Sequence, residues 1–483
     1  MIRAFEYLRA CISRAQPALC VGVAAAVAAS CAAPVPRLAA SQRPLGSEHP
    51  TYAAEDGSAE RASASRENPR GDVALRDALA LALLQNPTLA AYSWETRVRE
   101  AEALQAGLLP NPELTVEGED FGGTGSFNGY DGAQTTIFLG QLIELGGKRS
   151  KRRRVATLER DLASWDYEVK RLDVFTEVAV AFVGVLQAQN DVALAEELLA
   201  IAGESIQAVS KQVRAGATSS VEETRARVSV ASARVELRAA QAALRTARTR
   251  LSSAWGQKSA RFGQVVGDLR DVQAPPPIDS IRGKLEQNPD VARWVVELAH
   301  RDAAIALQDA GAVPDVTAGA GVRRLEANDD TTFVFGVTVP LPVFDRNQGG
   351  RQAARHGLAK ARYEQRAALV RAASALEIAY ESLRSSFDVV EGLRADVLPE
   401  AVLAHEGVQR GYQRGLFRYV DVLDAQRTLF ELKGRELRAL GDYHRAVAAV
   451  ERLIGEPLLE AGGRALPAAP ASLNPSTDED AKR

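Results

Sequence analysis

The stretch TTFVFGVTV (331–339) alternates strictly: Phe333, Phe335, Val337 and Val339 fall on one face, and Thr332, Val334, Gly336 and Thr338 on the other. Successive side chains of a strand point to opposite sides. This is therefore a strand with one strongly apolar face and one mixed face. PELTVEGED (112–120) sorts in the same way, with Leu114 and Val116 opposed to Glu113, Thr115, Glu117 and Glu119. Two readings fit. One is the half-buried sheet of a soluble domain. The other is a membrane barrel with lipid outside and water inside. The strands are about ten residues long, the length a tilted strand needs to cross a bilayer. Their loops, FGGTGSFNGYDG (121–132) and LEANDD (325–330), are polar and rich in Gly or Asp.

The same strand is written twice. TTIFLGQ from Thr135 answers TTFVFGV from Thr331, and PELTV (112–116) answers PDVTA (314–318). LLQNPTLAAYSWETRVREAEAL (83–104) answers KLEQNPDVARWVVELAHRDAAI (284–305), and RAGATSSVEETRAR from Arg214 answers QRGLFRYVDVLDAQ from Gln413. Order and approximate spacing are kept, so the chain is a duplication with a period of about 200 residues, too long for a solenoid repeat. Each half has one plan: a helix, two strands, then two longer helices. The first half predicts a helix over 74–107, strands over 112–120 and 134–145, and helices over 147–213 and 219–256. The second predicts a helix over 279–310, strands over 314–325 and 331–341, and helices over 349–412 and 418–454. The resulting organisation is a signal segment (1–30), a linker (31–71), a first repeat (72–256), an inter-repeat segment (257–278), a second repeat (279–456) and a polar tail (457–483).

Four strands cannot close a barrel, and open edges are not tolerated in lipid. Known single-chain barrels start at about eight strands. If these strands lie in a membrane, several chains share one barrel. The helices carry a second clue. In 219–256, Val221, Val228, Val235 and Ala242 form one seam at seven-residue steps, and Val230, Leu237, Leu244 and Leu251 form another. The last helix repeats this with Leu423, Phe430 and Leu437 against Ala425, Leu432, Ala439, Ala446 and Leu453. The seams lie about 200° apart around the helix, so each helix packs on two neighbours. A ring of such helices makes a tube, and about 60 helical residues would reach about 90 Å. A helix buried in a bundle also has more than one neighbour, but the many Arg and Glu between the seams argue against full burial.

The 483 residues are 46% apolar and 25% charged, a globular composition. The net charge of −3 implies no polyanion partner. No apolar run reaches the length of a transmembrane helix. Arg3, Arg9 and Arg14 precede ALCVGVAAAVAAS, which ends at Cys31. A basic start, a short apolar core and small residues before a cleavage point read as a secretory signal. AASC also resembles a bacterial lipobox, in which Cys31 becomes the lipidated first residue; the alternative is cleavage at a nearby Ala. Cys11 and Cys20 lie inside the signal, which leaves one cysteine and no internal disulfide.

Several motifs carry nothing. DFG (120–122) and HRD (300–302) stand in the wrong order for a kinase and lack its Gly-rich loop and lysine. GGKRS (146–150) lacks the first glycine of a phosphate loop. The five histidines form no close metal-ligand cluster, and no cofactor is implied. KRSKRRR (148–154) is a basic run that opens a long helix directly after a predicted membrane strand. With an export signal present, nucleic acid is a poor partner for it; a collar at lipid headgroups fits better.

Together these features resemble the TolC-like outer-membrane efflux channels. The duplicated plan, the NP in each first helix and YQRG…VDVLDAQRTL carry the resemblance, from about residue 72 to 456. PNPELTVEGEDFGGTGSFNGYDGAQTTIFLGQLIELGGKR and VPLPVFDRNQGG are most similar to the heavy-metal branch, the CzcC-like channels. The resemblance implies a mainly α fold with a membrane β-barrel, built as a homotrimer. Four strands from each chain would make one twelve-stranded barrel in the outer membrane, continued by a periplasmic helical tunnel. It also implies two partners, a periplasmic adaptor and an inner-membrane RND-type pump driven by protons. Asp421 and Asp424 match the acidic pair at the closed periplasmic end of the tunnel, and Tyr412 matches a tyrosine of that gate. The basic gate residue is unmatched: Phe417 holds its place, and Arg418 or Arg414 would substitute. The plainer role for Asp421 is a charge at a helix start. Two rival functions remain: a channel of the same fold for protein secretion or drug efflux, and a lipid-anchored periplasmic coiled-coil adaptor.

Overall fold

The computed structural model describes residues 38–54 and 69–458. The signal segment, Cys31 and nearly all of the tail lie outside the described residues. The elements run β1 (Val73–Ala74), α1 (Leu75–Gln85), α2 (Pro87–Ala106), β2 (Glu113–Glu119), β3 (Gln134–Ile143), α3 (Lys148–Arg214) and α4 (Ser220–Ser253). They continue with β4 (Val265–Val266), α5 (Ile278–Arg282), α6 (Pro289–Ala310), β5 (Val316–Leu325), β6 (Asp330–Thr338), α7 (Gln348–Gly392), α8 (Leu398–Gln413) and α9 (Tyr419–Ile454).

The chain forms two compact units. The first, built from Leu38, 99–161 and 299–358 among the described residues, holds a four-stranded sheet of order β2-β3-β5-β6. All neighbours are antiparallel. The register confirms the alternation across the whole sheet. Val116 pairs with Ile137, Ile137 with Val322, and Val322 with Phe333. One row over, Leu114, Leu139, Ala320 and Phe335 align in the same way. The apolar face is thus continuous from edge to edge, and no described residue covers it: Phe333 is 91% exposed and Phe335 75%. The opposite face carries Glu113, Thr115, Glu117 and Glu119 on β2 and Thr136 on β3. Arg323 there donates from Nε to the Thr136 hydroxyl at 2.9 Å and stands 3.4 Å from Glu119. On this face the Phe138 ring fills the space that side chains at Gly319 and Gly336 would need.

The second unit packs around Leu83, Leu89, Leu172, Phe175, Val178, Phe182, Leu251, Trp255 and Phe262, with the short parallel pair β1–β4 beside them. A stretch of α3 is long and apolar enough to cross a membrane by composition. Its residues 172–186 are instead core of this unit. A smaller cluster gathers Ile281, Leu376, Tyr380, Leu383, Tyr443 and Val450.

Three sequence expectations are corrected. The first helix of each half is not continuous. Proline lacks the N–H that would continue the ladder and is pre-set for a helix start, so Pro87 and Pro289 each open a new helix. The preceding asparagine caps it. Asn86 accepts from Thr88 and Leu89 and donates to the Ala254 carbonyl at 2.8 Å. Asn288 accepts from Asp290 and donates to the carbonyls of Arg452 and Leu453. In both halves the NP asparagine therefore ties the first helix to the end of the last one. Second, the helix expected over 349–412 widens to a π-type turn at Leu393–Val397, two residues before Pro399, whose missing N–H breaks the regular ladder. Third, the linker is not a free spacer where it is described. Residues 39–54 lie against α3: Arg171 donates to the carbonyls of Leu45 (2.8 Å) and Arg43 (3.1 Å), and Glu168 accepts from the Arg43 amide (2.7 Å). Leu45 and Ala54 are buried.

The seams divide unequally. On α9 Phe430, Leu437, Ala439 and Ala446 are all buried within the chain. On α4 only the second seam is covered, ending in buried Leu251, while Val221, Val228 and Val235 stay 56–64% exposed. Among the described residues, that seam of α4 has no covering neighbour.

Candidate functional site

Two helical hairpins of the second unit, α3–α4 and α8–α9, end in turns of one design. Gly216 (φ +72°) and Gly415 (φ +75°) take the left-handed conformation that glycine adopts without strain. In the first turn Gly216 donates to Val213 and Ala217 to Gln212; in the second Gly415 donates to Tyr412 and Leu416 to Gly411. All four bonds superpose at an offset of 199. Each turn is followed by a helix start, and here the halves differ. Ser219 caps α4, its hydroxyl accepting from the Val221 amide at 3.2 Å. Arg418 holds that place before α9 and has no acceptor to offer. Asp421 supplies one, bending back so that its Oδ2 accepts from the Arg418 amide at 2.8 Å.

The four residues singled out in the sequence lie in one helix–turn–helix without forming one cluster. Asp421 is engaged with its own helix start. Arg418 is 82% exposed, and its guanidinium reaches Asp421 only at 4.0 Å, a pair that contributes little. Asp424 is 74% exposed and stands 4.0 Å from Arg427, which in turn is 3.3 Å from Glu431. It opens a solvated stripe that continues through Arg435 and Arg438 to Asp442. Tyr412 faces α3: its hydroxyl donates to Gln212 at 2.7 Å, and its ring tilts against Tyr419 at 5.8 Å. Tyr419 packs with Val209, Ala226 and Val422, and burial pushes its hydroxyl up to about 12, so it keeps its proton at neutral pH. Burial likewise raises Tyr412. Phe417, where the basic gate residue would stand, lays its ring over Gly411. Gln212 and Tyr419 were missed in the sequence, because each becomes a partner of Tyr412 only once the hairpins pack.

The described sheet has a bare apolar face and two open edges, and it is joined in sequence to long paired helices. Residues 78–257 and 281–456 match the family described as outer membrane efflux protein. The chain belongs to that family. The cobalt-zinc-cadmium resistance protein CzcC of Cupriavidus metallidurans is 38% identical over 385 residues, 80% of this chain and 90% of that one. The nickel and cobalt resistance protein CnrC of the same organism is 32% identical over 58% of this chain and 65% of that one. Among solved structures, CusC matches with a TM-score of 0.68 at 18% identity, covering 87% of this chain and 100% of that chain. The CmeC outer membrane channel of Campylobacter jejuni matches with a TM-score of 0.67 at 16% identity, over 79% and 85%. The fold is that of a TolC-like channel subunit.

Proposed function

We propose that this chain is the outer-membrane channel of a tripartite, proton-driven efflux system that exports heavy-metal cations. The observation that carries this reading is the 38% identity to a cobalt-zinc-cadmium resistance protein across 90% of its length. A homotrimer is supported by the open edges of β2 and β6 and by the uncovered α4 seam. A periplasmic adaptor would engage the hairpin tips, and an inner-membrane RND-type pump would supply the energy and select the solute. We also propose that Cys31 carries lipid; an intact mass showing cleavage elsewhere without acyl chains would remove that feature. The test of function is genetic. A strain lacking the gene should lose resistance to zinc, cobalt or cadmium and regain it with a plasmid copy. Unchanged metal resistance with lost drug resistance would favour the drug-efflux channel instead.

At the tunnel end, Asp424 and Asp421 are proposed to draw cations into the constriction. Three copies crowd six carboxylates around a wet pore, where water and ions screen their repulsion, and such rings favour cations. Replacing both with alanine should reduce cation selectivity in planar bilayers and weaken block by multivalent cations. Because Asp421 also caps α9, the double variant should lose about 0.5–2 kcal/mol of stability. Unchanged selectivity in a variant that still assembles would reduce the pair to a helix-start feature.

A further inference from the structure

Both open edges of the sheet end in prolines. Pro110 and Pro112 precede β2, and Pro340 and Pro342 follow β6. Proline has no N–H for a ladder, so backbone pairing stops at these levels and side chains must make any further contact. Beyond β6 the chain presents an apolar arm, with Leu341 80%, Val343 60% and Phe344 91% exposed. Before β2 lies a cavity of about 550 Å³, lined on one side by Leu108, Leu109 and Pro110 and on the other by Glu102, Glu144 and Arg152. The cation in its wall is already neutralised. Arg152 makes two bonds to Glu144, at 2.6 and 3.1 Å, and a third to the Ala106 carbonyl. A phosphate would have to compete with Glu144 for it, so the cavity offers apolar surface rather than an anion site.

We propose that the arm Leu341–Phe344 of one copy seats in the Leu108–Leu109–Pro110 cavity of the next, locking the base of the barrel. The inference rests on the shared-barrel reading above. The strand directions carry it. In the order β2-β3-β5-β6 with all neighbours antiparallel, β6 runs opposite to β2. When β6 of one copy joins β2 of another, the pair is antiparallel, and the exit of β6 lies beside the entry to β2. The arm and the cavity then come to the same level. Within one chain they cannot meet, since three strand spacings put the two edges about 14 Å apart. Charge is already settled on both sides, Glu102 by Arg99 at 2.9 Å and the Arg346 Nε by the Pro342 carbonyl at 3.1 Å, so apolar surface carries the contact.

The test is a cysteine pair. Leu109→Cys with Phe344→Cys, oxidised in intact outer membranes, should give covalent dimers and trimers that reductant collapses. Neither single variant should do so. The reach of a disulfide, with Cα atoms about 4.4–6.8 Å apart, excludes bridging across one chain's sheet. A second pair, Leu108→Cys with Val343→Cys, covers the case in which the first disturbs folding. Both pairs silent in variants whose native mass is still trimeric would overturn the lock and leave the shared barrel standing. A monomeric wild type would overturn both. A fluorophore on Leu109→Cys strongly quenched by brominated lipid, without cross-linking, would assign the cavity to an acyl chain and also overturn the proposal.

Discussion

Gly321→Val is expected to abolish assembly of the channel. Gly321 sits on β5 opposite Phe138. A Cβ there would press into the carbonyl oxygen of Ile137 and lie 2.8 Å from the Cα of Phe138. These are backbone atoms of the neighbouring strand, so no rotamer change relieves the clash and the β3–β5 pairing must shift. That pairing joins the halves of the sheet, and each copy repeats it. Overpacking typically costs about 1–3 kcal/mol per site, and a closed trimer meets it three times. The expected result is loss of the trimer band on mildly denaturing gels, with chain still exported. Gly118→Ala is the control, because its Cβ would meet only the Phe121 ring edge at 3.6 Å. Normal trimers from Gly321→Val would show that the tight register of β3 and β5 is not required.

Arg171→Ala should be the most damaging single change in the second unit. Arg171 is fully buried and Glu168 nearly so, paired at 2.7 and 2.8 Å. The arginine also satisfies two carbonyls of the N-terminal segment. Removing it leaves a buried carboxylate uncompensated, which typically costs about 3–5 kcal/mol. Thermal unfolding in detergent should fall accordingly, and chymotrypsin should cut after Leu45 and Tyr52 in the folded protein, where the intact segment resists. Glu168→Leu on top of Arg171→Met should recover part of the loss, because no charge is then stranded, although the segment's carbonyls and the Arg43 amide stay unpaired. Unchanged melting and unchanged proteolysis of Arg171→Ala would mean that the segment holds by its apolar residues alone.

These two sites mark where sequence reading succeeds and where it stops. The strand faces were legible because alternation is a local signal: Leu114 and Val116, or Phe333 and Phe335, sort without knowledge of any partner. The turns were legible because the duplication repeats their glycines. The packing of residues 39–54 was not. Its anchors, Glu168 and Arg171, are charged residues three apart on a long helix, a spacing that ordinarily marks a solvated ion pair, and their partners lie about 125 positions away. The glycine platform under Phe138 was hidden for a similar reason, since Gly319 and Gly321 weaken a strand read alone. At the turn between α8 and α9 the residue types were visible, but not the division of labour. That Asp421 turns back to its own helix follows from arginine standing where Ser219 stands in the first half, a comparison that needs the turn geometry to be seen.

The central claim is that several copies complete one barrel. The measurement that tests it most directly is the native mass of the detergent-extracted protein. Three mature chains in one particle are predicted. A single folded chain that conducts ions in a planar bilayer would contradict the account, because a sheet of four strands cannot close a pore.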